Sequence, residues 1–377
     1  MDALRLPSEL ARSRYSVRYA QKDVTSDVSP YLLSLTYTDY LTDQSDELEL
    51  ALEDVDGRWK NAWYPGKGDT LTVAIGWQGQ DLVQVGTFQI DEIEFEGGPS
   101  TVRIRALAAN IGQSLRTIEY AAYENTTLDA VAKRIATRHG LDLTGKIEPI
   151  MLDRLTQSES DGVFLTKLAG EYDYAFKVVG RRLVFHAIAD LMATDPVASV
   201  AVSAFAPGWR IRDQIKEVPK SASIKSHNPK TNKLVSYSVQ NDGTVAALPA
   251  SVSKATTSAD TAKRTTRTSN AAQADAKARC ALARANREQT QGSASLLGRP
   301  RLVAGSVLTL TGAGRLDGNY LIQTSRHVLN RSGGYTTDIE FCRVRAADEN
   351  APAAPVAVPK KPLAVYGIKD GQTVRTR

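Results

Sequence analysis

LVAGSVLTLTGAGRLDGNYLIQTSRHVLNRSGGYTTDIEF, residues 302–341, decides the fold class of this chain. Val307, Thr309 and Thr311 alternate with Ser306, Leu308 and Leu310, and Gly312-Ala313-Gly314 ends the run. Asp317-Gly318 reads as a tight turn, because Gly tolerates positive φ. Residues 319–329 form a second extended run, Ser332-Gly333-Gly334 a further turn, and residues 335–344 a last strand rich in β-branched and aromatic side chains. The stretch predicts an antiparallel meander.

The same signals occur far upstream. Leu48, Leu50 and Leu52 alternate with Glu47, Glu49 and Ala51, which predicts a half-buried strand with an acidic outer face. Residues 71–77 and 82–90 read as strands around Gln78-Gly79. After Gly97-Gly98-Pro99, Val102, Ile104 and Ala106 alternate with Arg103 and Arg105. Strands at this spacing predict a closed sheet or sandwich over residues 1–118.

Between the two β regions the period changes to helical. Leu128, Val131, Ala132 and Ile135 share a face, with Thr126 and Asp129 as a capping box and Gly140 as the stop. A second helix over 159–172 has Ser158 and Asp161 as its capping box and Phe164, Leu165, Leu168 and Tyr172 as its apolar stripe. A hairpin around Gly180-Arg181 completes a small α/β unit, residues 119–187. The second β region is placed at 188–345. Within it, residues 250–270 read as a flexible Ser/Thr/Ala/Lys connection, and 271–287 as an Ala-rich helix with a thin apolar face. Residues 346–377 form a Pro/Ala tail, expected to be extended as polyproline II, with a basic end.

The chain has 377 residues, 42% of them hydrophobic, enough for more than one core. Its +5 net charge is too small to argue for nucleic-acid binding. Cys280 and Cys342 read as buried thiols in a reducing compartment. The N-terminal residues lack the apolar stretch of a signal peptide, and no run has the length of a membrane span. A chain made in the cytoplasm, without a membrane anchor, is expected.

The residues offer little catalytic chemistry. His139, His186, His227 and His327 are scattered and match no metal-ligand spacing. Each reads as an ordinary polar or half-buried histidine, and His186→Ala or His327→Ala is expected to cost only modest stability. Gly312, Gly314 and Gly318 are spaced GxGxxxG before a strand, so a turn is favoured over a dinucleotide loop. The acids of 43–56 alternate with leucines, which favours a solvated face over a catalytic pair or calcium loop. Trp59, Trp63 and Tyr64 suit the cap of a barrel end better than a sugar platform. No catalytic, cofactor or metal residues are assigned.

Three segments carry a resemblance to a known family: Gly86-Thr87-Phe88-Gln89-Ile90-Asp91-Glu92-Ile93; Gln157-Ser158-Glu159-Ser160-Asp161 leading into Phe164-Leu165 and Leu168-Ala169; and the 310–337 meander with Asp317-Gly318, His327 and Gly333-Gly334-Tyr335. In this order they resemble the phage late control D family, baseplate hubs of contractile tails, and the hub part of type VI secretion spike proteins. The likeness spans about residues 10–345. It implies two similar antiparallel β-barrels with a small LysM-like α/β unit between them. It also implies a non-enzymatic trimer that joins a six-fold tail tube to a three-fold central spike. The implied partners are spike, tube or tube-initiator and baseplate wedge proteins, with DNA passing through the channel. The implied site is the virion baseplate or a tail-like particle, assembled in the bacterial cytoplasm. A hub that also binds or cleaves peptidoglycan through the α/β unit is the alternative. Beyond the family likeness, Lys360, Lys361, Leu363, Val365, Tyr366, Ile368, Arg375 and Arg377 of the tail form a candidate docking segment for a neighbouring subunit or the spike.

Overall fold

The computed structural model describes residues 12–42, 44–108, 113–215, 218–228, 233–241, 258–265, 271–332, 334–344, 365–369 and 372–376. The fold is mainly β. Thirteen strands form one sheet, its core path running from Arg210–Asp213 through Thr290–Leu297, Gly334–Arg343, Gly318–Asn330, Leu32–Tyr40, Glu47–Glu53, Thr101–Ala108, Val83–Glu96 and Thr70–Trp77 to Ser13–Tyr19. The meander appears as expected: Val307–Thr311 pairs with Gly318–Asn330, which pairs with Gly334–Arg343. Its first turn is a 3-10 turn, Gly314–Leu316, closed by the Asp317 carboxylate accepting from the Ala313 amide, and Gly318 opens the next strand.

The two β regions are not separate sheets. Gly318–Asn330 also pairs with Leu32–Tyr40, in seven register pairs from Thr324↔Tyr40 to Asn330↔Ser34. The Arg331 side chain extends this seam by donating to the carbonyls of Leu32 and Pro30. Alternation inside each strand predicts neighbours on a face, but not which distant strand takes the open edge.

Two cores fill the sheet's inner face. The first joins Val17, Leu35, Leu48, Leu50, Leu52, Val73, Phe88 and Ile104, so strands far apart in the sheet order meet and the sheet curls around them. Leu48, Leu50 and Leu52 face this core as their alternation predicts, and Trp59 is buried in it. The second joins Val200, Leu308, Leu310, Tyr320, Ile322, Ile339 and Phe341. The acidic outer face expected on Glu47–Glu53 is a charge ladder. Arg105 pairs with Glu47 and Glu92, and Arg103 with Glu49, Glu94 and Glu96.

The α/β unit has its own core of Leu128, Val131, Ile135, Phe164, Leu165, Leu168, Leu183 and Phe185. Its helices are Leu128–Arg138 and Asp161–Tyr172, and its hairpin pairs Tyr174–Val179 with Arg182–Ala187. Both caps differ from expectation. Thr127, not Thr126, accepts from the Ala130 amide. The second helix begins after Ser160 rather than Ser158, Ser160 makes no side-chain cap, and Asp161 turns inward to an ion pair with Arg138.

The 250–270 connection needs correction as well. Ser258–Thr265 is a strand, parallel to Pro219–Asn228, which pairs on its other side with Lys233–Gln240. The helix Ala271–Glu288 covers this small sheet, burying Ala274, Ala278 and Leu282 against Ala222 and Ile224. Small side chains let helix and sheet approach closely, so low apolar content did not mean lack of structure.

Candidate functional site

The groups with unusual environments gather where the two β regions and the α/β unit meet. At the seam, His327 is fully buried, stacked on Tyr37 at 5.7 Å between ring centroids. Ser325 donates its proton to the Leu302 carbonyl, so its oxygen can only accept from His327 Nε2, 3.1 Å away. His327 Nδ1 then accepts, with the hydroxyls of Tyr335 at 2.9 Å and Thr337 at 3.1 Å. Burial pushes the His327 pKa down to about 4, so the ring is neutral at pH 7. Of the histidines whose side chains are described, His139, His186 and His327, the last departs furthest from the expected half-buried residue. It is the polar centre of the seam. Its place three residues before Asn330-Arg331-Ser332 and opposite a tyrosine-bearing strand was readable, but the Tyr37 contact across nearly 300 residues was not.

Beside the seam, Lys177 of the α/β unit reaches into the N-terminal β region. Its ammonium lies 2.7 Å from Asp39 Oδ1, 3.1 Å from Asp46 Oδ2 and 3.4 Å from the Tyr40 carbonyl. Asp39 Oδ2 accepts from the Ala304 amide at 3.0 Å, so the cluster touches all three parts of the chain. Burial works against the Lys177 charge, but Asp39 and Asp46 outweigh it and raise its pKa.

A second polar network lies inside the α/β unit. Asp161 accepts from Arg138 and Gln157, lies 2.6 Å from His139 Nε2, and is fully buried; Gln157 in turn accepts from the Tyr123 hydroxyl. Burial raises the Asp161 pKa, but the bonds from Gln157 and His139 and the Arg138 charge outweigh it and hold the carboxyl below its ordinary value. Gln157 and Asp161, ends of the motif that carried the family resemblance, thus act together as a brace for the second helix. A third tie joins the Ala-rich helix to this unit: Arg287 makes a bidentate pair with Asp173, Lys277 pairs with Glu171, and Gln273 donates to the Tyr172 hydroxyl.

Between these ties and the outer face of the shared sheet lies a cleft of about 890 Å³. Its floor carries Thr36, Thr38, Tyr40 and Arg326, and its walls carry Trp209 and Arg284. Charges of both signs surround Tyr40, Glu47 and Glu340 against Arg105 and Arg326. Such a surface suits a polar macromolecular contact. Among the described residues, no group of three or more His, Cys, Asp or Glu side chains is placed to hold a metal ion. Both cysteines are free thiols. No described helix is long and apolar enough to cross a membrane.

The candidate tail residues divide. Lys360, Lys361, Leu363 and Arg377 lie outside the described residues. Val365, Tyr366 and Ile368 fall in the strand Val365–Lys369, and Arg375 in Gln372–Thr376. These two strands pair with each other, Lys369 opposite Gln372, across Asp370-Gly371. Asp-Gly between alternating residues is a strong hairpin signal, and it marks a partner strand inside the tail that the reading of a single extended segment missed.

No protein-family model matches the chain. Two curated relatives do: the probable baseplate hub proteins of Escherichia phage P2, 38% identical over 158 residues, and of Escherichia phage 186, 35% identical over 167 residues. The matched stretch covers 41% and 44% of this chain, and 40% and 42% of those proteins. Among solved structures, a 43 kDa tail protein of a Shewanella oneidensis prophage shares the fold. Its TM-score is 0.62 at 15% identity, over 89% of this chain and 98% of that one. An Escherichia coli component of the type VI secretion system matches with a TM-score of 0.50 at 13% identity, over 87% of this chain and 77% of that one. The likeness to phage baseplate hub proteins is thus found in sequence, and the likeness to a phage tail protein and a type VI secretion component in fold.

Proposed function

We propose that this chain is the structural hub of a contractile phage tail or tail-like particle. In this reading each subunit contributes two similar β-barrels, built on the two cores of the shared sheet. Three subunits close a ring of six barrels that joins the six-fold tube above to the three-fold spike below. Wedge proteins bind outside, and DNA passes through the channel in a phage. The observation that carries the reading is the seam: two β regions with separate cores are joined by a common strand into one sheet. Pseudo-symmetric contacts around a ring require the two to be joined. The hub names of the P2 and 186 relatives support it. The α/β unit, LysM-like in this reading, serves as decoration or interface.

Symmetry analysis of intact particles tests the proposal. Three copies at the base of the tube are expected, and a six-copy or single-copy density there would overturn it. The alternative of peptidoglycan cleavage predicts a zymogram band from purified protein that is lost on mutation of one acid or histidine. No specific feature of the described residues favours it.

A further inference from the structure

We propose that Asp39, Asp46 and Lys177 form a proton-operated latch that sets how tightly the α/β unit sits on the N-terminal β region, and that uptake of one proton tightens it. The inference rests on an imbalance of buried charge. Two carboxylates share one ammonium, and the three side chains are only 5%, 10% and 23% exposed. The remaining polar contacts are already committed: Asp39 to the Ala304 amide, Asp46 to the Tyr40 amide at 3.2 Å. With both carboxylates ionised, one negative charge lacks a counter-charge in a poorly solvated place. One proton on Asp39 balances the cluster.

Among the described residues, Lys177 is the one cation within ion-pair distance of these two acids. Tyr37, on the same strand as Asp39, is held neutral by burial and by these two acids. Arg116, Lys167, Glu171 and Arg284 line a neighbouring cavity of about 630 Å³, whose wall also includes Asp46 and Lys177. That cavity gives water, and so protons, a route to the cluster. Next to the latch, Leu41 of the N-terminal β region meets Ala175 of the α/β unit and Ile188, Met192, Val307 and Leu321 of the second β region. Opening the latch therefore loosens a three-way apolar contact.

The direction of the effect follows from linkage. Burial, and then the Asp46 charge, push the Asp39 carboxyl up to about 7 against the pull of Lys177. The seated form thus keeps a proton that the unseated carboxyl gives up. Stabilisation of the seat is complete at low pH and is lost as pH rises through about 7. The opening constant can grow by up to about tenfold per pH unit in that range.

Amide hydrogen exchange of the full-length protein between pH 5.5 and 8 tests the latch, after correction for the intrinsic pH dependence of exchange. Protection of residues 34–41 and 174–192 is expected to fall at least about tenfold between pH 5.5 and 7.5. Residues 71–77, in the first core away from the latch, should not change. In Asp39→Asn, which keeps an acceptor for Ala304 but carries no charge, the fall should be absent. Aspartate carboxyl ¹³C spectra of the unmodified protein, which do not depend on a variant folding, should show one carboxyl titrating near neutrality. Protection that is independent of pH, a fall shared equally by 71–77, the same fall in Asp39→Asn, or no aspartate titrating between pH 5.5 and 8 would each overturn the proposal.

Discussion

Replacing His327 with alanine tests whether the seam is a rigid joint. The ring is fully buried, so its removal leaves a cavity, and the hydroxyls of Tyr335 and Thr337 lose their acceptor. Cavity formation and orphaned polar groups together give an expected loss of roughly 3–5 kcal/mol at pH 7.5, in place of the modest cost expected of a half-buried histidine. The loss should depend on pH. The folded-state pKa is depressed from 6.5 to about 4, so the stabilisation is complete above pH 6.5 and fades as pH falls through about 4. At pH 5 the gap between the two proteins should therefore narrow by about 2 kcal/mol. Differences taken at each pH cancel the opposite slope contributed by Asp39, which both proteins share. Urea unfolding followed by tryptophan fluorescence suits the measurement, because Trp77 lies 5.3 Å from Tyr335, centroid to centroid, and donates to the Gly298 carbonyl across the seam. A gap below about 1 kcal/mol, or one that stays constant from pH 7.5 to 5, would refute the reasoning.

Other expectations follow from the same contacts. A Cβ on Gly298 would stand 2.2 Å from the Tyr335 ring, so Gly298→Ala should cost about 2–3 kcal/mol in thermal or urea unfolding. Arg287→Ala strands the Asp173 carboxylate, which is 13% exposed, and should cost about 3 kcal/mol while hastening proteolysis within 271–288. Among the described residues the five buried clusters all end by Val344, so deleting 346–377 should leave the melting temperature unchanged. We further propose that the tail contacts the spike or a neighbouring subunit. Pull-down with the spike at two salt concentrations should then recover less of the truncated chain, and equal recovery would rule out the spike as its partner.

The strands and helices were legible where alternation or helical spacing was strong. Leu48, Leu50 and Leu52, the 302–341 meander and the stripe from Phe164 to Tyr172 all behave as their patterns predict. Less legible was whatever depends on partners distant in sequence. Ser258–Thr265 has almost no apolar pattern, and becomes a strand because Pro219–Asn228 offers it an edge, with Ser221 hydrogen-bonded to Thr261 at 2.9 Å. Asp161 looked like a cap residue because capping is a local rule. The Arg138 and His139 groups that claim it lie 22 or more residues upstream. The latch was invisible for the same reason: Asp39, Asp46 and Lys177 are ordinary surface types until the fold buries them together.

The strand shared between the two β regions also has a mechanical consequence. Its hydrogen bonds to Leu32–Tyr40 run across the strands, as in any antiparallel ladder. A load directed along the strands pulls on all seven register pairs at once, in shear. A load directed across them peels the pairs one after another, beginning at Asn330 or at Thr324. The joint is therefore stiff along one axis and weak along another. In the hub role proposed above, the direction in which this subunit is mounted would decide whether it transmits the stroke or tears.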